Sequence, residues 1–251
     1  MTTTNTTHFL NSRLLGFNAA FLIAAAWQIH ALLNDLSNQA FISKFSLCFL
    51  LFFLLIDQLG KSAPLNIVIS VLFCLIGDVL LQPLDMDYTD LADARQFHFI
   101  LGVLSFCIAY GSLARYLMSL NPSWRAAIKA QPATLILNSV VSLAVLVWIA
   151  LNNQAAPYLL LVLLIYSPIV VGLATIAFYV CARITSPPYI ALLIGCNSIV
   201  FSDTLIGLTA FAKLTFPLAP NPVWILSTYI VGIFLVFNAV IFIEKQSRNV
   251  K

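Results

Sequence analysis

Charge is what this chain has least of: twelve Lys and Arg and nine Asp and Glu in 251 residues, 8% together. Ordinary soluble domains carry about 25% charged residues, so too little is present here to cover a water-facing globule. The basic residues are scattered rather than gathered on a stripe, which excludes a nucleic-acid partner. Histidine is limited to His8, His30 and His98, at mismatched depths for a shared metal. The five cysteines, Cys48, Cys74, Cys107, Cys181 and Cys196, lack the short paired spacing of a zinc or redox motif and read as small core hydrophobes. Phosphate-cradling glycine loops, Gly-x-Ser-x-Gly and His-Glu-x-x-His are all missing, which removes P-loop, serine-hydrolase and zincin chemistry. The acidic loop 82–96, with Asp85, Asp87, Asp90 and Asp93, lacks the ligand rhythm of a calcium loop and reads as solvated. No metal or other cofactor is expected.

What the chain has is apolar length. Hydrophobic residues make up 61%, and a bilayer core of about 30 Å needs roughly 20 of them in a helix. Eight stretches qualify, at 14–33, 40–59, 64–81, 97–120, 132–151, 157–182, 188–212 and 222–243. Five open on proline, which suits a first helical turn because the missing N–H has no partner there. An all-α, polytopic bundle of about eight spans is predicted, with a polar tail at 1–13, a single transmembrane domain at 14–243 and a basic tail at 244–251. The first run is long and lacks a small-residue cleavage site, so it is read as a retained span. Arg13, Lys61, Arg115, Arg125, Lys129, Arg183, Lys245, Arg248 and Lys251 fall on one side; the other holds Lys44, Arg95 and Lys213. Both termini are therefore expected in the cytoplasm.

Ionisable residues within a span are costly to place and mark function by default. Asp78 and Asp203 stand fourteen and fifteen residues after Pro64 and Pro188, which open the third and seventh spans. At about 1.5 Å per residue both carboxyls lie about 20 Å from the cytoplasmic end, so their depths match. Gly77 and Ser202 beside them allow close helix approach. Lys44 has similar depth and could neutralise one carboxyl, and Tyr166 and Tyr229 could direct hydroxyls into the same zone. Asn197, Ser198 and Ser202 add polarity there. Asp57, near the cytoplasmic end of the second span and close to Lys61, reads as interfacial, and Arg115 as a snorkelling residue. The bland reading of the whole set is an ion pair and hydrogen bonds that fix packing. The chemical one is a pair of carboxyls in a low-dielectric pocket, which do not ionise independently and so divide into acid and base. Its substrates would be amphiphiles entering from the bilayer.

These residues resemble the YhhN family along essentially the whole chain: eight spans, short loops, a Gly-Asp late in the third span and a Ser-Asp in the seventh. The fourth-span stretch from Phe99 to Phe106 with Ala109, Tyr166 in the sixth span, Tyr229 in the last and Lys44 in the second also match its pattern. Tyr110, Phe45 and Ile233 depart from it, standing where the pattern usually has His, Pro, and Gln or His. The resemblance implies lysoplasmalogenase activity: hydrolysis of the sn-1 vinyl ether of a lysoplasmalogen to a fatty aldehyde and a glycerophospho-ethanolamine or -choline. Asp78 and Asp203 would then share the acid and base roles, with Lys44, Tyr110, Tyr166, Asn197, Ser202 and Tyr229 shaping the substrate pocket. The expected partners are a lysophospholipid and the bilayer, with a homodimer left open, and the expected location is a bacterial inner membrane. A proton-coupled transporter using the same carboxyls, or an inactive lipid-binding protein, are the rival readings.

Overall fold

The computed structural model describes residues 12–81, 93–121, 123–130, 132–153, 157–181, 186–218 and 221–249, and all structural statements below concern these. His8, Asp85, Asp87, Asp90, Arg183 and Lys251 lie outside the described residues, as do the side chains of Asp93 and Arg95. The protein is 91% helical with no strand among the described residues. Its helices are α1 (Ser12–Leu33), α2 (Ser37–Leu59), α3 (Leu65–Leu80), α4 (Asp93–Leu120), α5 (Trp124–Ala130), α6 (Ala133–Leu151), α7 (Pro157–Cys181), α8 (Pro187–Ala212) and α9 (Asn221–Asn249). Seven are long and apolar enough to cross a membrane, and α3 is a shorter apolar helix.

The eight apolar stretches correspond to α1–α4 and α6–α9, and the prolines act as punctuation. Pro64 and Pro132 sit just ahead of α3 and α6, and the Pro187–Pro188 pair opens α8. Two details differ from expectation. The short helix α5 occupies the connection after α4, and α9 continues through 244–249, so the basic segment prolongs the last helix.

Side chains are sorted in the sense required by lipid. Large apolar groups such as Ile23, Leu143 and Phe201 face outward, while Gln28, Ser43, Lys44, Ser70, Asp78 and Ser202 are buried. Six helices form a ring in which α2 packs on α3, α3 on α4, α4 on α7, α7 on α8, α8 on α9 and α9 on α2. Helix α1 lies outside the ring against α2 and α9; α6 lies outside it against α7 and α8. The closest packing joins α8 to α9. A Cβ on Gly195 would stand 2.9 Å from the Gly232 carbonyl oxygen, and one on Gly232 2.6 Å from Ile199 Cγ1, so only glycine at both places lets the backbones approach this far.

One end of the bundle is tied by polar contacts. Arg13 of α1 pairs with Asp57 of α2 at 3.2 Å, Gln58 bonds both Asp57 and Lys245 of α9, and Arg248 donates to the Ser62 carbonyl. At the same end Tyr116 of α4 donates to Glu244 at 2.8 Å. The first and last described helices therefore begin and finish together, and the partner of Asp57 is Arg13 rather than the nearby Lys61.

Candidate functional site

Each of the six ring helices contributes a polar side chain to the ring's interior: Lys44 from α2, Asp78 from α3, Tyr110 from α4, Tyr166 from α7, Asp203 from α8 and Tyr229 from α9. Local sequence explains how they come so close. Gly77, next to Asp78, has no Cβ to strike Phe106 of α4, whose ring would lie 2.8 Å from one. The α3 and α4 backbones can thus meet at the level of the carboxyl.

Asp78 is fully engaged. Its Oδ1 lies 3.2 Å from Lys44 Nζ, with both side chains at most 5% exposed. Its Oδ2 accepts from the Tyr229 hydroxyl at 3.0 Å and from Cys48 Sγ at 3.0 Å. A buried carboxylate matched by a cation and two further donors satisfies what an anion out of water requires.

Asp203 is placed differently. Its Oδ2 accepts from the Tyr166 hydroxyl at 2.9 Å, and it has no ion pair among the described residues. The Tyr110 ring packs at a tilt against Tyr166 at 6.2 Å and Phe106 at 5.6 Å between centroids. Its buried hydroxyl lies beside Asp203 and Tyr166, close enough to interact with both though not in the alignment of a well-formed hydrogen bond. A phenol hydroxyl in that place is a hydrogen-bond donor beside Asp203.

Two cavities meet at that carboxyl. The smaller, about 30 Å³, is lined by Lys44, Asp78, Asp203 and Tyr229 with apolar neighbours, and is large enough for a water molecule. The larger, about 640 Å³, lies between α6, α7 and α8. Its walls are mainly apolar, with Asp203 as its single ionisable carboxyl and Tyr166 beside it. Exposed Leu137, Val141 and Phe201 border it, so it opens sideways onto the lipid-facing surface. Asp203 belongs to both cavities; Asp78 reaches only the small one.

The structure therefore brings Lys44, Asp78, Asp203, Tyr110, Tyr166 and Tyr229 together. Asn197 and Ser202 stand at the edges. Asn197 lines the large cavity two turns from Asp203 and donates its amide to its own helix at Leu193. Ser202 lines the small cavity, but its hydroxyl donates to the Ile225 carbonyl at 2.8 Å and ties α8 to α9. Of the three departures, Tyr110 enters the site, Ile233 is fully buried in the core and Phe45 is exposed. Cys48, read from sequence as plain packing, is a donor to Asp78. Its spacing of four from Lys44, which puts both on one face of α2, was the available signal.

The model of the YhhN family matches residues 39–240, a span that includes every residue of this site. No curated protein sequence matches the chain, and no solved structure matches it.

Proposed function

The chain belongs to the YhhN family, and from that premise we propose that it is an integral-membrane, lysoplasmalogenase-like hydrolase. In this reading it cleaves the sn-1 vinyl ether of a lysoplasmalogen with Asp203 and Asp78. The observation that carries the proposal is the position of Asp203 at the junction of an apolar cavity of about 640 Å³ with a polar one of about 30 Å³. A lipid whose alkenyl chain fills the first presents its enol ether at the carboxyl. Water and Asp78 occupy the second.

The chemistry needs one proton donor and one carboxylate. Asp203, beside apolar walls and with no ion pair among the described residues, carries the proton and delivers it to the β-carbon of the vinyl ether. The double bond closes on that proton and leaves an oxocarbenium ion at the α-carbon. Asp78, held as a carboxylate by Lys44, Tyr229 and Cys48, stabilises this cation and accepts a proton from the attacking water. In the collapse of the resulting hemiacetal Asp203 takes back a proton from its hydroxyl while Asp78 gives its proton to the glycerol oxygen, which releases a fatty aldehyde and the freed alcohol and restores both carboxyls. Tyr166 fixes the Asp203 carboxyl, and the Tyr110 hydroxyl beside it can donate to the ether oxygen or to water.

The small cavity also suits a headgroup held outside. Asp78 is two residues from the end of α3, and Ile225 and Leu226 in its wall lie one turn into α9. The headgroup would sit at the bundle end opposite Arg13, Lys245 and Arg248, and the positive-inside rule puts those basic residues in the cytoplasm.

The test is aldehyde release from lysoplasmenylethanolamine and lysoplasmenylcholine by purified protein in detergent, with Asp203→Asn and Asp78→Asn variants verified as folded. Release by the wild type and its loss in both variants is the expected result. A wild type that releases no aldehyde, but moves protons or solute across sealed vesicles, would replace the hydrolase with a transporter.

A further inference from the structure

Lys44 has one part in the proposed reaction, to hold Asp78 as a carboxylate, yet a primary amine in this place has chemistry of its own. It is the only buried lysine among the described residues, 4% exposed, whereas Lys61 and Lys129 are on the surface. Its Nζ lies 3.2 Å from Asp78 Oδ1, and its side chain lines the same cavity of about 30 Å³ as Asp203. Asp203 in turn borders the larger cavity that opens onto lipid. An aldehyde carbon formed between the two carboxyls is therefore formed beside an amine, and aldehydes condense with amines. Such an amine attacks only with its lone pair free, which an ammonium lacks. A buried ammonium persists only with its counter-ion, because an unpaired charge out of water is costly. Asp78 is that counter-ion.

We propose that Lys44 is a latent covalent site for long-chain aliphatic aldehydes, and that its ion pair with Asp78 keeps it from capturing the aldehyde made beside it. The proposal rests on the hydrolase reading for the source of the aldehyde and adds a second role for Asp78, protection of the site from its own product. With the carboxylate removed, Lys44 becomes a neutral amine and attacks the carbonyl carbon. The C–N bond forms, the carbonyl oxygen takes up the two amine hydrogens and leaves as water, and an imine remains. Cyanoborohydride traps it: hydride adds to the imine carbon, the nitrogen takes a proton from solvent, and a stable secondary amine results. The exposed Lys61 supplies an internal reference, because nothing at Asp78 alters its surroundings at the end of α2.

The experiment treats intact wild-type protein and the Asp78→Asn and Asp78→Ser variants, each verified as folded in detergent micelles, with hexadecanal and cyanoborohydride at neutral pH. Alkylation of Lys44 and Lys61 is then read by peptide mass spectrometry. The ratio of Lys44 to Lys61 adduct is expected to be at least tenfold higher in the variants than in the wild type. An unchanged ratio in either folded variant would overturn the proposal. Wild-type Lys44 alkylated as readily as Lys61 would overturn it without any variant. Because the aldehyde is added directly, the result does not depend on turnover. The expected adducts beside a wild type that releases no aldehyde from lysoplasmenyl lipids would keep the covalent site and remove the hydrolase reading. Aldehyde release with an unchanged adduct ratio would do the reverse.

Discussion

Replacing Lys44 with Met asks how much of this protein's stability hangs on one buried ion pair. In the wild type, Lys44 Nζ is 3.2 Å from Asp78 Oδ1, and neither side chain is more than 5% exposed. Removal of the ammonium leaves the carboxylate with Tyr229 and Cys48 as its donors but with no opposing charge. An uncompensated buried charge costs about 3–5 kcal/mol, which for a chain of this size corresponds to a Tm lower by roughly 6–20 °C. The double variant Lys44→Met/Asp78→Asn removes both charges while an amide oxygen still accepts from Tyr229. Most of the loss should return, with a coupling of at least about 2 kcal/mol in the double-mutant cycle. All five cysteines are free and four of them are buried, so labelling by a thiol-reactive fluorophore during heating reports unfolding. The exposed Arg13–Asp57 pair supplies the control, because a surface pair is worth about 0–1 kcal/mol and Arg13→Ala should barely move the curve. The reasoning is refuted if Lys44→Met lowers stability no more than Arg13→Ala, or if the double variant is no more stable than the single one.

Two further outcomes follow from the same geometry. Tyr166→Phe deletes the hydroxyl that donates to Asp203 at 2.9 Å; kcat should drop roughly 10–100-fold, as expected for a lost positioning bond of about 1.5–3 kcal/mol, in the aldehyde assay with KM little changed. Gly232→Ala puts a Cβ 2.6 Å from Ile199 Cγ1 at the tightest helix contact; it should destabilise the protein by about 1–3 kcal/mol, read as a lower Tm, whereas Gly16→Ala, with open space around its Cβ, should leave the melting curve in place.

Much of this architecture is legible in the sequence, and the reason is that lipid imposes a length rule. Apolar runs near twenty residues, five of them opened by proline, match the eight long helices to within a few positions except at the end of α9, and counting rise from Pro64 and Pro188 puts Asp78 and Asp203 at one depth. Depth is a one-dimensional quantity. Azimuth is not: which way Asp203 turns on α8, and hence that it borders a cavity Asp78 does not reach, depends on how α6, α7 and α8 pack. The same limit hid Cys48, which has the composition of a core residue and the position of a hydrogen-bond donor. Helix α6 shows a third case. Its sequence is as apolar as that of its neighbours, yet Ile149 is its single buried residue, because it leans on the ring from outside. Helix α5 escaped notice because seven residues carry too little periodicity to announce a helix.

The pairing of Lys44 with Asp78 bears on how the chain enters the membrane. The two residues belong to consecutive helices, α2 and α3, joined by a short connection at 60–64. A lone lysine or aspartate at mid-span is a penalty for the insertion machinery, but a hairpin delivers the two charges together and lets them cancel before later helices are synthesised. Asp203 has no ion-pair companion among the described residues and arrives on the seventh span to emerge, when α2, α3, α4 and α7 already offer a protein wall. The order of helices along the chain thus doubles as an assembly schedule, in which the self-neutralising half of the site is laid down first and the solitary carboxyl is admitted once it has shelter.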